Sequence, residues 1–315
     1  MANTGNNPYE VEETTLDFRN GLELLLQQRV SILRPLVEVG SYVGKGARML
    51  NQIGVLNAPA AGARYSDGVP QIPFFTSRWV FPNDREIRVW VDTFDELRSI
   101  VDPKGGITQA SAAAIGRYFD DLIINAATGS ATTGPDPSNY STESFDTAAS
   151  TSGGAVVADT FGASASTGLT WPKIVEAERG MRRRRALDNE KPCLIIGSQQ
   201  NANLKLQQEV ISREYGIGMI GSDGNVGSVG IFDVYVSDRL NTSSSDTLRN
   251  CIAFVRSGLH LGVWRDMNTF IDNLPTKVSR PWQLLSMVTA GATRTQQYKT
   301  FQINAADTSG QDPTA

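Results

Sequence analysis

Residues 116–129 read GRYFDDLIINAATG and contain the second half of the clearest helical pattern in the chain, which runs from about residue 108 to 127. Apolar side chains recur there every three or four residues, which predicts a helix with one buried and one polar face. The predicted buried face comprises Ile115, Phe119, Leu122, Ile123 and Ala126. Asp120 and Asp121 are adjacent and would point about 100° apart on a helix, which argues against a catalytic carboxylate pair. They predict a polar edge that faces solvent or an interface.

The segments before this helix differ from it in composition. Residues 1–15 are acidic and polar, and a helical pattern with Leu22 and Leu26 on its apolar face follows over residues 16–39, where Pro35 should kink or end the helix. Two interpretations stay open, because this helix could pack on its own domain or dock on a neighbouring molecule. Residues 40–84 mix glycines and prolines with apolar side chains, which predicts a long β-hairpin loop that leaves the body of the fold.

The rest of the chain mixes helical and strand patterns. Residues 85–94 alternate as a half-buried strand, whereas residues 130–168 are rich in Ser, Thr, Gly and Ala and predict a surface loop without regular structure. The further elements expected, in order, are helices over 170–187 and 199–210 around a strand at 193–196, strands at 231–237 and 251–255, a short turn at 257–264, strands near 269–271, 284–290 and 298–303, and a disordered tail over 305–315. This mixture predicts an α+β fold.

The composition disfavours metal chemistry and catalysis. The 315 residues include one histidine, His260, and two cysteines, Cys193 and Cys251, whereas a structural zinc site needs four ligands. A net charge of −4 and a pI of about 5.2 exclude a generic basic nucleic-acid binder. The sequence shows neither a secretory signal pattern nor an apolar run long enough to span a membrane, so no membrane partner is expected. An enzyme centred on His260 remains the rival from another class, although the apolar neighbours of His260 favour a core or interface residue.

Two further motifs have residue types that could carry chemistry. Residues 216–221 read GIGMIG and match a dinucleotide-binding string, but a predicted helix precedes them where a strand is required, so no nucleotide cofactor is expected. Arg182, Arg183, Arg184 and Arg185 are consecutive and must fan around a helix axis. They could be a solvated helix end, pair with carboxylates of neighbouring subunits, or line a wall near a polyanion.

Taken in order, several stretches resemble a tailed-bacteriophage major capsid protein with the Hong Kong 97-like fold. After the N-terminal helix and the glycine-proline hairpin, these stretches are GRYFDDLIINAATG (116–129), LTWPKIVEA (169–177), PCLIIGSQQ (192–200), GIFDVYVS (230–237) and SGLHLGV (257–263). The resemblance covers roughly residues 16–305, and its weight lies in the ordered set of motifs.

The resemblance implies a division of the chain into the regions of that fold. The regions would be an N-terminal arm (1–39), an extended hairpin loop (40–84), a peripheral domain (85–168 and 270–305) with a spine helix at about 108–127, an axial domain (169–269) and a flexible tail (306–315). The implied function is self-assembly into an icosahedral shell of pentamers and hexamers around double-stranded DNA. The implied partners are many copies of the same chain, a separate scaffolding protein, a portal and decoration proteins, with assembly in the host cytoplasm. A bacterial nanocompartment shell is the alternative within the same fold.

A subunit with such a hairpin and N-terminal helix must bury their apolar surface on neighbouring copies. Aromatic side chains dominate such contacts. The residues expected at subunit interfaces are Phe74, Phe75, Trp79 and Phe81 on the hairpin, Leu22 and Leu26 on the helix, and the four consecutive arginines. No lysine lies between Lys45 and Lys104, so the lysine cross-link that some members of this family carry on the hairpin is not expected.

Overall fold

The computed structural model describes residues 27–58, 60, 62, 67–68, 70–93, 103–136, 139–187, 190–207, 210, 226–242, 247–278 and 280–307. The helices are α1 (Pro103–Thr128), α2 (Trp171–Arg183) and α3 (Ser198–Lys205), with short 3-10 turns between other elements. The strands are β1 (Glu38–Ser41), β2 (Ala47–Ile53), β3 (Phe75–Val80), β4 (Asn83–Val91), β5 (Ala131–Asp136), β6 (Asn139–Glu143), β7 (Val156–Val157), β8 (Pro192–Ile196), β9 (Ser228–Val229), β10 (Phe232–Val236), β11 (Leu248–Val255), β12 (Leu259–Asn273), β13 (Trp282–Arg294) and β14 (Thr300–Ala306).

These strands form three sheets. One sheet has the order β1-β12-β13-β4, a second has the order β7-β14-β11-β8-β10-β9, and a third has the order β2-β3-β5-β6. The long helix α1 packs on β12 and β13 of the first sheet. The main core is continuous and includes Phe119 of α1, Met181 of α2, and Phe254 and Phe301 of the second sheet. The α+β class expected from the sequence is confirmed, and none of the helices in the described residues is long and apolar enough to cross a membrane.

Helix α1 has the predicted location and the predicted apolar face. Ile115, Phe119 and Ile123 are buried, and the helix starts at Pro103, earlier than the apolar pattern indicates. The expectation for Asp120 is wrong, because this side chain is buried. Strands β2 and β3 pair antiparallel, with Ala47 opposite Val80 and Ile53 opposite Phe75, as the hairpin predicted over residues 40–84 requires.

Three local predictions are corrected by the structure. Residues 27–39 are not an α-helix, and they hold a 3-10 turn at Arg34–Leu36 before β1, which pairs in parallel with β12. The stretch over residues 130–168 contains β5, β6 and β7. Residues 259–264 belong to the long strand β12 and not to a turn. The domain boundaries stay a prediction, and strand β14, expected in the peripheral domain, pairs with β11 in the six-stranded sheet.

Predictions for several segments lie outside the described residues. They concern residues 1–26, with Leu22 and Leu26, the GIGMIG motif at residues 216–221, and residues 308–315.

Candidate assembly surfaces

The distal half of the hairpin exposes a group of apolar side chains, here called the hairpin cluster. It consists of Ile53, Val55, Leu56, Ile72, Phe74 and Phe75. Phe74 is 73% exposed and Phe75 is 60% exposed, although both are aromatic. The two arms stay hydrogen bonded beyond the strands, because the Gly54 amide donates to the Phe74 carbonyl at 2.7 Å. The hairpin is therefore ordered by its backbone and leaves these side chains uncovered by the rest of the described chain.

Trp79 lies on the same strand but is turned into the subunit. It is 8% exposed, and its indole Nε1 donates to the Gly134 carbonyl at 2.9 Å. The Arg48 guanidinium lies 5.7 Å from the centre of its ring. Trp79 faces inward because β5 pairs with β3 at this point, with Thr132 opposite Trp79. This burial within the subunit disfavours Trp79 as an anchor of a subunit interface, whereas Phe81 remains partly exposed, with its ring centre 5.7 Å from that of Tyr140.

The four consecutive arginines diverge at the end of α2. Arg182 donates to Glu178 one turn earlier at 2.7 Å, and Arg183 is exposed. Arg184 folds back onto the subunit, with its guanidinium 3.7 Å from the ring centre of Tyr298, and burial lowers its pKa. Arg185 is exposed and has φ of +55°, so the chain leaves the helix there. Arg184 is thus mostly covered by its own subunit, with 14% of its side chain exposed, which disfavours it among the expected interface residues.

A cavity of about 650 Å³ opens between α1 and the segment that precedes β1. Val30, Val39, Ile115, Phe119 and Met267 supply much of its apolar lining. Val30 and Val39 are exposed, and the ion pair between Arg34 and Asp266, with 2.6 Å between its charged atoms, adds polar lining. We call this cavity the spine groove, and it combines an apolar floor with charged side chains.

The segment beside the spine groove is held to α1 by Asp120. The buried carboxylate accepts from the Leu33 amide at 3.0 Å, from the Ile32 amide at 3.2 Å, and from the side chains of Gln28 and Ser31. A single acidic side chain thus satisfies several donors of an irregular segment, which would otherwise stay unpaired against the helix. The sequence places Asp120 on the polar face of the helix, and nothing local indicates this role.

His260 is buried where β1 meets β12. Its Nε2 lies 2.9 Å from the Tyr42 hydroxyl, and its Nδ1 lies 3.9 Å from a Glu38 carboxylate oxygen. Burial lowers its pKa, and the Glu38 carboxylate opposes that shift. Burial also raises the thiol pKa of Cys193 to about 11 and that of Cys251 to about 12, so both thiols stay protonated at neutral pH. In the part of the chain that the structure describes, no group of His, Cys, Asp or Glu is arranged to hold a metal ion.

A family model described as phage capsid protein matches residues 12–307 of this sequence. The chain belongs to the phage capsid protein family. The match spans nearly the whole chain and includes both the hairpin and the spine groove. No curated protein sequence matches the chain.

Solved phage capsids have the same fold as this capsid protein. The capsid of Ralstonia phage GP4 aligns with a TM-score of 0.67 at 12% identity, and the alignment covers 99% of this chain and 100% of that one. The capsid of cyanophage P-SCSP1u aligns with a TM-score of 0.66 at 14% identity over 95% of each chain. The capsid of cyanophage Pam1 aligns with a TM-score of 0.67 at 13% identity, covering 94% of this chain and 97% of that one. The predicted family, its fold and the role of a phage major capsid protein are confirmed.

In this capsid protein, the surfaces suited to assembly are the hairpin cluster, the spine groove and the exposed part of the arginine run. Phe74, Phe75 and Phe81 keep the exposure that the sequence analysis expected, as do Arg182, Arg183 and Arg185. The sequence analysis missed Val55 and Ile72, the spine groove, and the anchoring role of Asp120. The exposure of Val55 and Ile72 could have been predicted from the many apolar residues that lie among glycines and prolines in this part of the sequence. The groove could not have been predicted in this way, because its walls come from three separate parts of the chain.

Proposed function

We propose that this capsid protein assembles through its hairpin into an icosahedral shell of pentamers and hexamers that encloses double-stranded DNA. The observation that carries the proposal is the hairpin cluster, which exposes six apolar side chains on an arm with no core of its own. Burying one large apolar side chain contributes about 1.5–3 kcal/mol, so a neighbouring subunit that covers several of them gains substantial free energy. Membership of the phage capsid family supports a genome shell over a nanocompartment shell.

The spine groove is the surface that we propose for the hairpin of a neighbouring copy. Its apolar floor is chemically complementary to Phe74 and Phe75. The hairpin and the groove are different surfaces of one chain, so a contact between them is head-to-tail. Contacts of this kind close into rings when the rotation between subunits allows it, which fits pentamers and hexamers.

The proposal also covers the partners of the subunit and where it assembles. A separate scaffolding protein, a portal and decoration proteins complete the proposed particle. The subunit is proposed to assemble in the host cytoplasm and to act without catalysis. The setting of His260 supports the last point, because this buried imidazole lies 2.9 Å from the Tyr42 hydroxyl and 3.9 Å from a Glu38 carboxylate oxygen, two residues that hold β1 against β12. Its Nδ1 accepts no hydrogen bond from a described residue and is closed to solvent, so a substrate could not reach it.

The proposal is tested with a double substitution, Phe74→Ser with Phe75→Ser. Both side chains are largely exposed in the subunit, so the variant should fold with an unfolding transition close to that of the parent. We expect it to remain unassembled in electron micrographs under conditions in which the parent forms shells. Leu206→Ser is the control, because Leu206 is 70% exposed but lies at the end of α3, away from the hairpin. Closed shells of parental appearance from the double variant would rule out assembly through the hairpin cluster.

A further inference from the structure

Two arginines are buried where the hairpin joins the body of the subunit. Arg78 on β3 is 5% exposed and Arg294 at the end of β13 is 1% exposed. Arginine is rarely buried without partners, because removing its charge from water costs several kcal/mol. The hydrogen-bond and ion-pair partners of Arg78 and Arg294 therefore identify the segments that meet at this junction.

Arg294 binds the carboxyl end of α1. It donates to the Gly129 carbonyl at 2.7 Å and to the Ala127 carbonyl at 3.3 Å, and also to the Gln297 side chain at 2.8 Å. A contact of 3.4 Å to the Glu143 carbonyl completes the set. Burial lowers the pKa of Arg294 to about 10, so the group is still charged at neutral pH. A cation at this end of a helix is favoured by the helix dipole.

Arg78 binds the residue that follows Arg294. Its Nε donates to the Thr295 carbonyl at 2.8 Å, and the same carbonyl accepts from Gln52 of β2, also at 2.8 Å. Arg78 forms an ion pair with the Glu143 carboxylate, so Glu143 touches both arginines. Thr295 in turn donates through its amide to the Gly258 carbonyl at 3.0 Å, between β11 and β12.

These contacts converge on Glu143 and Thr295 from both hairpin strands, from the end of α1 and from the β11–β12 connection. The sheet alone fixes the hairpin weakly, because β3 pairs with β5 at only two positions, Arg78 opposite Thr133 and Trp79 opposite Thr132. We propose that Arg78, Glu143, Arg294 and Thr295 form an elbow that sets the direction in which the hairpin leaves the subunit. The elbow thereby sets the angle between neighbouring subunits and the diameter of the shell.

The charge balance of the elbow supports a positioning role. Of the two buried guanidinium groups, only that of Arg78 pairs with the Glu143 carboxylate, whereas Arg294 binds the Glu143 backbone carbonyl. Nη1 of Arg78 has no hydrogen-bond partner among the described residues. An apolar junction would avoid this desolvation cost, and buried polar groups of this kind are retained in some proteins to specify one geometry. The inference about shell diameter rests on the proposed contact between the hairpin and a neighbouring copy.

The test uses Glu143→Gln and Arg78→Lys, which keep side-chain size or charge but lose the paired geometry. The first readout is amide hydrogen exchange in the unassembled subunit. We expect exchange in β2 and β3 to be about tenfold faster, with exchange in β8 and β11 unchanged. The second readout is shell diameter in electron micrographs, where we expect a mixture of sizes or open sheets. Arg48→Lys is the control, because Arg48 lies on the same hairpin but donates to Ser77 and Pro135, outside the elbow.

Parental exchange in β2 and β3, or shells of uniform parental diameter, would overturn the inference. If both variants lose protection in β8 and β11, Gln52→Met replaces them, because Gln52 is half-buried and contributes a single bond to the Thr295 carbonyl. Parental exchange in β2 and β3 of Gln52→Met, or shells of uniform parental diameter, would then overturn the inference. The exchange measurement needs no subunit contact, so it reports on the elbow even if Phe74 and Phe75 prove irrelevant to assembly.

Discussion

At the scale of single residues, His260 shows how a lone histidine can be structural. It is buried between Tyr42 and Glu38, and it lies opposite Glu38 in the parallel pairing of β1 with β12. Strand β1 is four residues long, so a side-chain bond from Tyr42, directly after it, adds appreciably to its attachment. Desolvation favours the neutral imidazole, whereas the Glu38 carboxylate favours the charged one, and desolvation is the larger effect.

We expect His260 to make the subunit less stable in acid. Its folded pKa lies below the ordinary value of 6.5, so the unfolded chain binds a proton first as the pH falls. Stability is therefore unaffected by this group above pH 6.5 and declines below it, until the pH passes the folded pKa. Unfolding by denaturant between pH 5 and 8 would show the decline in the parent, and His260→Gln, which cannot be protonated, should lack that part of it.

A direct measurement of the same group is available. The chain has one histidine, so a single imidazole signal should titrate in an NMR spectrum of the unassembled subunit. A midpoint below 6.5 is expected, and a midpoint at or above 6.5 would contradict the burial argument.

At the scale of elements, α1 organises the structure around it through one acidic side chain. Asp120 and Asp121 are neighbours on the helix but have different surroundings. Asp120 is buried and binds residues 28–33, whereas Asp121 is partly exposed and pairs with Arg239 at 2.5 Å. The sequence analysis assigned both to one polar edge, because the segment that covers Asp120 is distant in sequence and has no local signature.

The two aspartates make a matched pair of variants. Asp120→Asn should lower the free energy of unfolding by about 2 kcal/mol, because an amide cannot accept all the bonds that the buried carboxylate accepts. Asp121→Asn should change it by less than about 1 kcal/mol, since exposed ion pairs contribute little. Denaturant titrations of both variants provide the comparison. Equal effects from the two substitutions would show that Asp120 does not anchor residues 28–33.

At the scale of the whole molecule, the four consecutive arginines divide into two that contact residues of their own subunit and two that are exposed to solvent. Arg184 is stacked on Tyr298 and lies 4.0 Å from Asp146, and Arg182 is paired with Glu178. Arg183 and Arg185 are exposed, and neither forms an ion pair with another described residue. These two positions are therefore the ones available to a neighbouring subunit or to packaged DNA.

Charge reversal at Arg183 distinguishes these two partners. Arg183→Glu should leave the subunit folded and block shell formation if the side chain pairs with a carboxylate of a neighbour, which is the outcome that we expect. Empty shells without DNA would instead assign Arg183 to the DNA-facing wall. Arg88→Glu is the control, because Arg88 is exposed on β4 and pairs locally with Glu86. Parental, DNA-filled shells from Arg183→Glu would exclude both roles.

Local patterns in the chain predict helix α1, the pairing of β2 with β3 and the α+β class. The composition, with one histidine and two cysteines, disfavours a catalytic or metal site. Periodicity over ten to twenty residues is enough for the helix and the paired strands, because a helix or a hairpin forms between residues that are close in sequence. The ordered resemblance to capsid proteins follows from the same local stretches. The stretch over residues 130–168 differs from the prediction, because β5 pairs with the neighbouring β6 and also with β3, although the residues of β5 do not alternate between apolar and polar.

The exposure of each residue that was expected at a subunit interface depends on contacts distant in sequence. Trp79 and Phe75 are similar aromatic residues on one strand, yet Trp79 is bonded to Gly134 and 8% exposed, whereas Phe75 lies opposite Ile53 and is 60% exposed. Arg184 is mostly covered because Tyr298 and Asp146 lie beside it, more than a hundred positions later and almost forty positions earlier in the chain. Burial is a property of three-dimensional neighbours, so periodicity can assign an element and its probable face but not the partner that covers each side chain.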